Sequence, residues 1–254
     1  MVEQLKLKLK QRLNAEQKKK LHRFVARNRY IGLFNSLVFG NNLTKLAVLY
    51  GTDKWGFHYY TPHYAAHLNK FRYKKITLLE IGVGGYDDPN KGGNSLRMWK
   101  RYFPFGRIFS LDIYDKSPQE ERRIKIFRGS QVDTAFLDEM VKEIGPIDVI
   151  IDDGSHINEH VIATFKHLFP KLNQKGLYII EDTQTSYDEH YGGSKDLKSP
   201  DTLMNFFKQF PDNLNHKEFL SPDTQPDYYD RNVSEIHFYH NMIFIYKDKN
   251  QGNS

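Results

Sequence analysis

The chain has 254 residues, 37 Lys+Arg against 31 Asp+Glu, 39% hydrophobic residues and no cysteine. That length suits one large domain or a domain with an appendage, and the missing cysteines exclude a disulfide framework, a thiolate metal site and a cysteine nucleophile. No apolar run approaches the roughly 20 residues that span a bilayer, and the first residues lack the apolar core of a secretory signal, so a cytoplasmic protein is expected.

The charge is unevenly spread. Residues 1–30 hold ten Lys/Arg and two Glu, a net of +8 against +6 for the whole chain, so the rest sums to −2. Nucleic-acid binding calls for basic residues spread over a face with aromatics between them; the body lacks that pattern, and no nucleic-acid partner is expected. Within the arm, Leu5, Leu9 and Leu13, then Leu21, Phe24 and Val25, give a basic amphipathic helix pattern. Packing on its own domain or on a second subunit is the simplest use of such a helix. Peripheral membrane contact is the alternative, and a targeting peptide is disfavoured by the lysine bias and the acids. The expected division is an N-terminal helical arm over 1–48 and a domain over 49–254.

From residue 75 onward, short apolar runs alternate with helical spacing. Strands are expected over 76–83, 108–113, 124–127, 147–151 and 177–180, and helices over 95–102, 134–144 and 159–172. This alternation predicts an α/β fold with a parallel sheet covered on both faces. Two further runs, 235–239 and 242–246, flank His240-Asn241 and read as an antiparallel hairpin. Five parallel strands plus a terminal hairpin make a seven-stranded Rossmann-like sheet, whereas a dinucleotide-binding domain would end on a parallel strand. The polar segment 183–231, with Tyr187, His190, Tyr191, Tyr228 and Tyr229, is expected to hold one helix at 202–210 and otherwise loop. Loops of that length usually serve function.

In open α/β sheets, ligands bind beyond the C-terminal strand ends near the point where strand order reverses. The first strand ends Glu80-Ile81-Gly82-Val83-Gly84-Gly85. The full GxGxxG spacing fails at Asp87, so a pyrophosphate cradle is disfavoured, and Glu80, Asp87 and Asp88 suit a cationic ligand instead. The second strand ends at Asp112, placed to accept from ribose hydroxyls. After the third come Gly129-Ser130-Gln131-Val132-Asp133, polar groups that can meet an adenine edge; Asp133 is equally suited to capping the next helix. The fourth ends Asp152-Asp153-Gly154-Ser155-His156 and the fifth Glu181-Asp182. So many carboxylates at one edge call for a cation, and oxygen ligation points to a hard ion, Mg²⁺ first. The stretch His156-Ile157-Asn158-Glu159-His160 also has the H-x-x-E-H form of inverted zinc peptidases, but the rest of the chain lacks a protease layout.

These strand ends, with Gly51-Thr52-Asp53-Lys54-Trp55-Gly56 and His58-Tyr59-Tyr60-Thr61 upstream, resemble the class I sugar O-methyltransferases of natural-product pathways, the type acting on mycinamicin and on rhamnosyl groups. The resemblance runs from about residue 49 to 246 and rests on that box, the EIGVGG loop, IDDGSH and IEDTQTSY. It implies the class I methyltransferase sheet and an S-adenosylmethionine (SAM)-dependent, Mg²⁺-assisted methylation of a sugar hydroxyl. By the resemblance, Asp153, Glu181 and Asp182 are the metal ligands and His156 the general base. Glu80, Gly82, Gly84, Asp112, Ser130 and Gln131 hold SAM, as do Asp152 and Ser95, the latter at the helix after the glycine loop. Lys54 and Tyr64 close over the SAM carboxylate or the substrate, and Tyr187 lies on the substrate side. A small glycoside is the expected substrate and a homo-oligomer the expected assembly. The alternatives are a catechol-like acceptor, disfavoured because those enzymes use an Asp…Asp-Asn metal set, and a non-catalytic SAM-fold binding module.

Overall fold

The computed structural model describes residues 40–250 other than Leu220, Pro222 and Thr224. The basic amphipathic pattern of Leu5 to Val25 lies outside the described residues. The chain divides into two compact units.

The first comprises residues 40–74 with Gly93–Pro104. Helix α1, Leu43–Tyr50, starts at Asn42, whose side chain accepts from the Lys45 amide at 2.9 Å, and stops at Gly51 with φ +68°. Helix α2, Thr61–Leu68, carries proline in its first turn, where the missing N–H costs no intrahelical bond. Helix α3 is Asn94–Tyr102. Tyr64 of α2 packs on Trp99 of α3 with ring centroids 4.8 Å apart, and Arg101 of α3 donates to the Tyr50 hydroxyl at 2.8 Å. The box after α1 is a folded turn with Lys54 fully buried.

The second unit contains the sheet. Its strands are β1 Thr77–Ile81, β2 Arg107–Asp112, β3 Ile124–Arg128, β4 Ile147–Asp152, β5 Leu172–Glu181, β6 Val233–Tyr239 and β7 Met242–Lys247. Their order is β3-β2-β1-β4-β5-β7-β6. The first five run parallel, and β7 enters antiparallel between β5 and β6. This is the seven-stranded class I methyltransferase arrangement with its C-terminal hairpin, as expected. Strand order reverses between β1 and β4, which opens the crevice where such folds take ligands. Every residue of β1 and β7 is buried, as a doubly covered sheet requires. Helices α4, Thr134–Ile144, and α5, Asn158–Leu168, supply the crossovers beside β4.

Two expectations are corrected. The helix expected over 159–172 ends at Leu168, followed by a 3-10 turn Phe169–Lys171 containing Pro170. Strand β5 consequently begins at Leu172 rather than 177. Its polar entry passes through Lys175 at φ +64°, a bend that apolar patterning does not register.

The segment 183–231 is more ordered than its polarity suggests. It holds 3-10 turns Thr183–Tyr187 and Glu189–Tyr191 and helices α6 Leu203–Phe207, α7 Phe210–Leu214, α8 His216–Phe219 and α9 Tyr228–Asn232. The single helix expected at 202–210 is thus two, because Pro211 opens α7 anew. Among the described residues, no helix is long and apolar enough to cross a membrane.

Candidate active site at the strand ends

The second unit brings the C-terminal ends of β1, β2, β4 and β5 together. The glycine turn after β1 is fixed by its neighbours. Gly82 N donates to Leu111 O at 2.9 Å, Val83 N to Asp112 Oδ2 at 3.0 Å, and Asp153 N to Ile81 O at 3.0 Å. A Cβ on Gly82 would stand 2.2 Å from the Asp153 carbonyl oxygen, so this glycine is demanded by close approach of two strand ends. Gly84, at φ +76°, differs: a Cβ there meets nothing within 4 Å, leaving open space for a ligand. The next residue but one, Tyr86, holds φ +49° and is 87% exposed. Lys116, itself buried, donates to the Asp88 carbonyl at 2.9 Å and stiffens the loop that follows.

Asp112 is anchored through both carboxylate oxygens, Oδ2 from Val83 N and Oδ1 from the Tyr114 amide at 2.9 Å. The remaining lone pairs leave acceptor capacity for ribose hydroxyls. Ser130 is half-buried, with its hydroxyl accepting from Val132 N at 3.3 Å. Asp133 caps α4 by accepting from the Phe136 amide at 3.0 Å. Gln131 spends its amide inside the protein. Its Nε2 donates to Thr164 Oγ1 at 3.0 Å and its Oε1 accepts from Ser155 N at 2.8 Å, tying the β4 turn to α5.

Asp152 is likewise interior. It is buried, 3.4 Å from both Gln131 Nε2 and the Tyr178 hydroxyl. Burial pushes its carboxyl up to about 7, with the Asp153 charge adding to the rise; hydrogen bonds from the Gly154 backbone, Gln131 and Tyr178 offset part of it. Burial and the neighbouring Asp152 likewise hold the Tyr178 phenol well above its ordinary range. These contacts make Gln131 and Asp152 supports of the strand-end turns.

The charged groups converge on Asp153. One potential ligand atom each from Asp153, His156 and Asp182 lies within 4.8 Å of the others, and the same holds for Glu80, Asp153 and Glu181. The expected metal set therefore distributes over two overlapping groups that share Asp153. His156 Nε2 stands 3.7 Å from Asp182 Oδ2 and 4.0 Å from Asp153 Oδ1. Both His156 (φ +58°) and Asp182 (φ +54°) adopt the left-handed conformation. Non-glycine residues held there mark places where surrounding structure fixes a side chain's aim. His160, the second histidine of the H-x-x-E-H stretch, belongs to neither group and instead pairs with Ser155 Oγ at 3.1 Å.

Tyr187 ends the 3-10 turn after Asp182 and is 45% exposed. Lys54, Tyr64 and Ser95 belong to the first unit. Sequence reasoning missed Glu80 as a member of the acidic group; its position two residues before Gly82, which abuts Asp153, was the available signal. It also missed Asn158, whose buried amide bonds the backbone at residues 185, 191 and 203.

No family model matches the chain. Individual relatives do. The chain is 46% identical over 212 residues to the mycinamicin VI 2''-O-methyltransferase of Micromonospora griseorubida, covering 82% of this chain and 53% of that protein. It is 47% identical over 211 residues to the 8-demethyl-8-alpha-L-rhamnosyl tetracenomycin-C 2'-O-methyltransferase of Streptomyces olivaceus, covering 83% and 56% respectively. The solved structure of MycE methyltransferase with Mg, SAH and mycinamycin VI superposes with a TM-score of 0.80 at 45% identity, covering 83% of this chain and 54% of that one. The chain spans about half the length of these relatives.

Proposed function

We propose that the chain is a sugar O-methyltransferase of the mycinamicin and rhamnosyl-tetracenomycin type, transferring a methyl group from SAM to a hydroxyl of a glycosylated natural product with Mg²⁺ assistance. The observation that carries the reading is the convergence of Asp182, His156, Glu181 and Glu80 on Asp153 at the strand-order switch. The carboxylate oxygens suit a hard divalent ion, which leaves the imidazole for proton transfer. In this reading Asp153, Glu181 and Asp182 hold Mg²⁺. When bound, SAM supplies the sulfonium methyl and Mg²⁺ the Lewis acid that eases ionisation of the acceptor hydroxyl.

The chain's own residues do the rest. His156 Nε2 takes the proton of the attacking hydroxyl, imidazole being the side chain suited to proton transfer near neutral pH. Asp153 and Asp182, at 4.0 and 3.7 Å, give the resulting imidazolium two anionic neighbours. Gly84 leaves room for the cofactor beside the β1 turn, Asp112 and Ser130 offer hydrogen-bonding groups, and Glu80 adds negative charge beneath a cationic ligand. Gln131 and Asp152 serve that pocket by fixing the turns around it. Tyr187 is proposed to meet the sugar.

Methyl release from labelled SAM, screened against mycinamicin VI, rhamnosyl tetracenomycin and a catechol, tests this function. Transfer to at least one glycoside and not to the catechol is expected. Transfer to the catechol alone, or to none of the three, contradicts it.

A further inference from the structure

Asn158 opens α5, two residues beyond His156, and is completely buried. An asparagine in that setting must satisfy its amide inside the protein. It does so with backbone groups of three separate segments. Its Nδ2 donates to Thr185 O at 3.0 Å and to Tyr191 O at 2.9 Å, while its Oδ1 accepts from Leu203 N at 2.6 Å. These partners sit in the 3-10 turn after Asp182, in the second 3-10 turn, and at the first residue of α6.

The first link leads directly to the acidic group. Thr185 donates through both its amide (3.2 Å) and its hydroxyl (3.0 Å) to Asp182 O. A short chain of contacts therefore runs from Asp182 through Thr185 to Asn158, and two residues along the backbone to His156. The two left-handed residues lie at its ends. The other two links hold residues 191 and 203, so the polar segment is pinned at both ends of its unhelical stretch. Ser186 adds a parallel tie by accepting from Met204 N at 3.1 Å.

We propose that Asn158 is a positioning residue: it sets the spacing between His156 and Asp182 and docks the 183–203 segment as the acceptor side of the site. The kinetic part of this inference rests on the methyltransferase reading. All three contacts go to backbone, so side-chain changes in 183–203 can alter the acceptor without disturbing the anchor. A displacement of about 1 Å at reacting groups lowers rate on the order of 10²-fold. Asparagine alone supplies two donors and an acceptor in this geometry. Aspartate keeps the acceptor toward Leu203 and loses both donors; alanine loses all three.

The test compares Asn158→Ala and Asn158→Asp with the native chain, using mycinamicin VI as acceptor. For both variants kcat falls and acceptor KM rises, with kcat/KM reduced on the order of 10²-fold. S-adenosylhomocysteine affinity stays within about twofold, because only the acceptor side is released. Hydrogen exchange at the Leu203 amide accelerates in Asn158→Ala and stays slow in Asn158→Asp. Unchanged kcat/KM, or cofactor affinity that falls in step with it, overturns the proposal. Exchange on the native chain needs no variant: backbone amides over 183–203 should be protected as those of α5 are, and free exchange there also overturns it. Failure of the native chain to methylate any glycoside would sink the methyltransferase reading, while the exchange arms still decide whether Asn158 anchors the segment.

Discussion

The strand-end turns and the 183–231 segment lie in one unit yet are built by opposite means. The turns after β1 and β4 are short, glycine-bearing and locked by backbone hydrogen bonds to neighbouring parallel strands, as in Asp153 N to Ile81 O. The turn after β4 carries Asp153 and His156, while Glu80 lies in β1 and Glu181 and Asp182 at the end of β5. The 183–231 segment is built, among its described residues, from 3-10 turns and short helices with no strand. It is held by Asn158 at one end and by an aromatic cluster beneath, in which the ring of Phe165 from α5 packs 4.8 Å from Phe207, 5.7 Å from Phe210 and 5.6 Å from Tyr229. Phe165 also meets Tyr178 at 5.1 Å, and Tyr178 reaches Asp152. The difference separates two jobs. In the proposed function, chemistry falls to the strand-end frame, and acceptor recognition to a segment anchored through features its exposed side chains do not control.

Two substitutions should dissociate those jobs. The larger effect is on chemistry: His156→Ala should lower turnover by roughly 10²–10⁴-fold while SAM still binds and the thermal midpoint scarcely moves. His156 is only partly buried, so little packing goes with it. Full activity in that variant would end its assignment as base. The smaller effect is on stability: Phe165→Ala removes the hub of the aromatic cluster and should cost about 3–5 kcal/mol in urea unfolding. Below the unfolding transition its acidic group should still bind Mg²⁺ with native affinity. A loss under about 1 kcal/mol would show that the cluster does not hold the segment.

The fold was legible because parallel strands buried on both faces leave continuous apolar runs, and because a hairpin signal such as 235–246 is local. The clustering at the candidate site was legible for a related reason: in this architecture ligands sit beyond strand ends, so Asp153, His156, Glu181 and Asp182, which the structure brings close, could be found by locating where each run stops. What escaped were relations between segments. Gln131 and Asp152 read as ligand contacts, and their bonds to Thr164, Ser155 and Tyr178, all distant in sequence, left no local signal. Asn158 reads as part of a zinc-peptidase-like string until its contacts with residues 185, 191 and 203 are seen. The short helices of 183–231 escaped because spaced aromatics in a polar stretch bury themselves against α5, a pairing no local period records.

In the proposed function, the acids gathered on Asp153 hold a metal used in methyl transfer. Chelation with EDTA followed by return of Mg²⁺, with methyl transfer to mycinamicin VI followed throughout, tests it most directly. Turnover should vanish on chelation and return with Mg²⁺ in the native chain, and should not return in Asp153→Asn. Undiminished turnover by the fully chelated protein would contradict the claim.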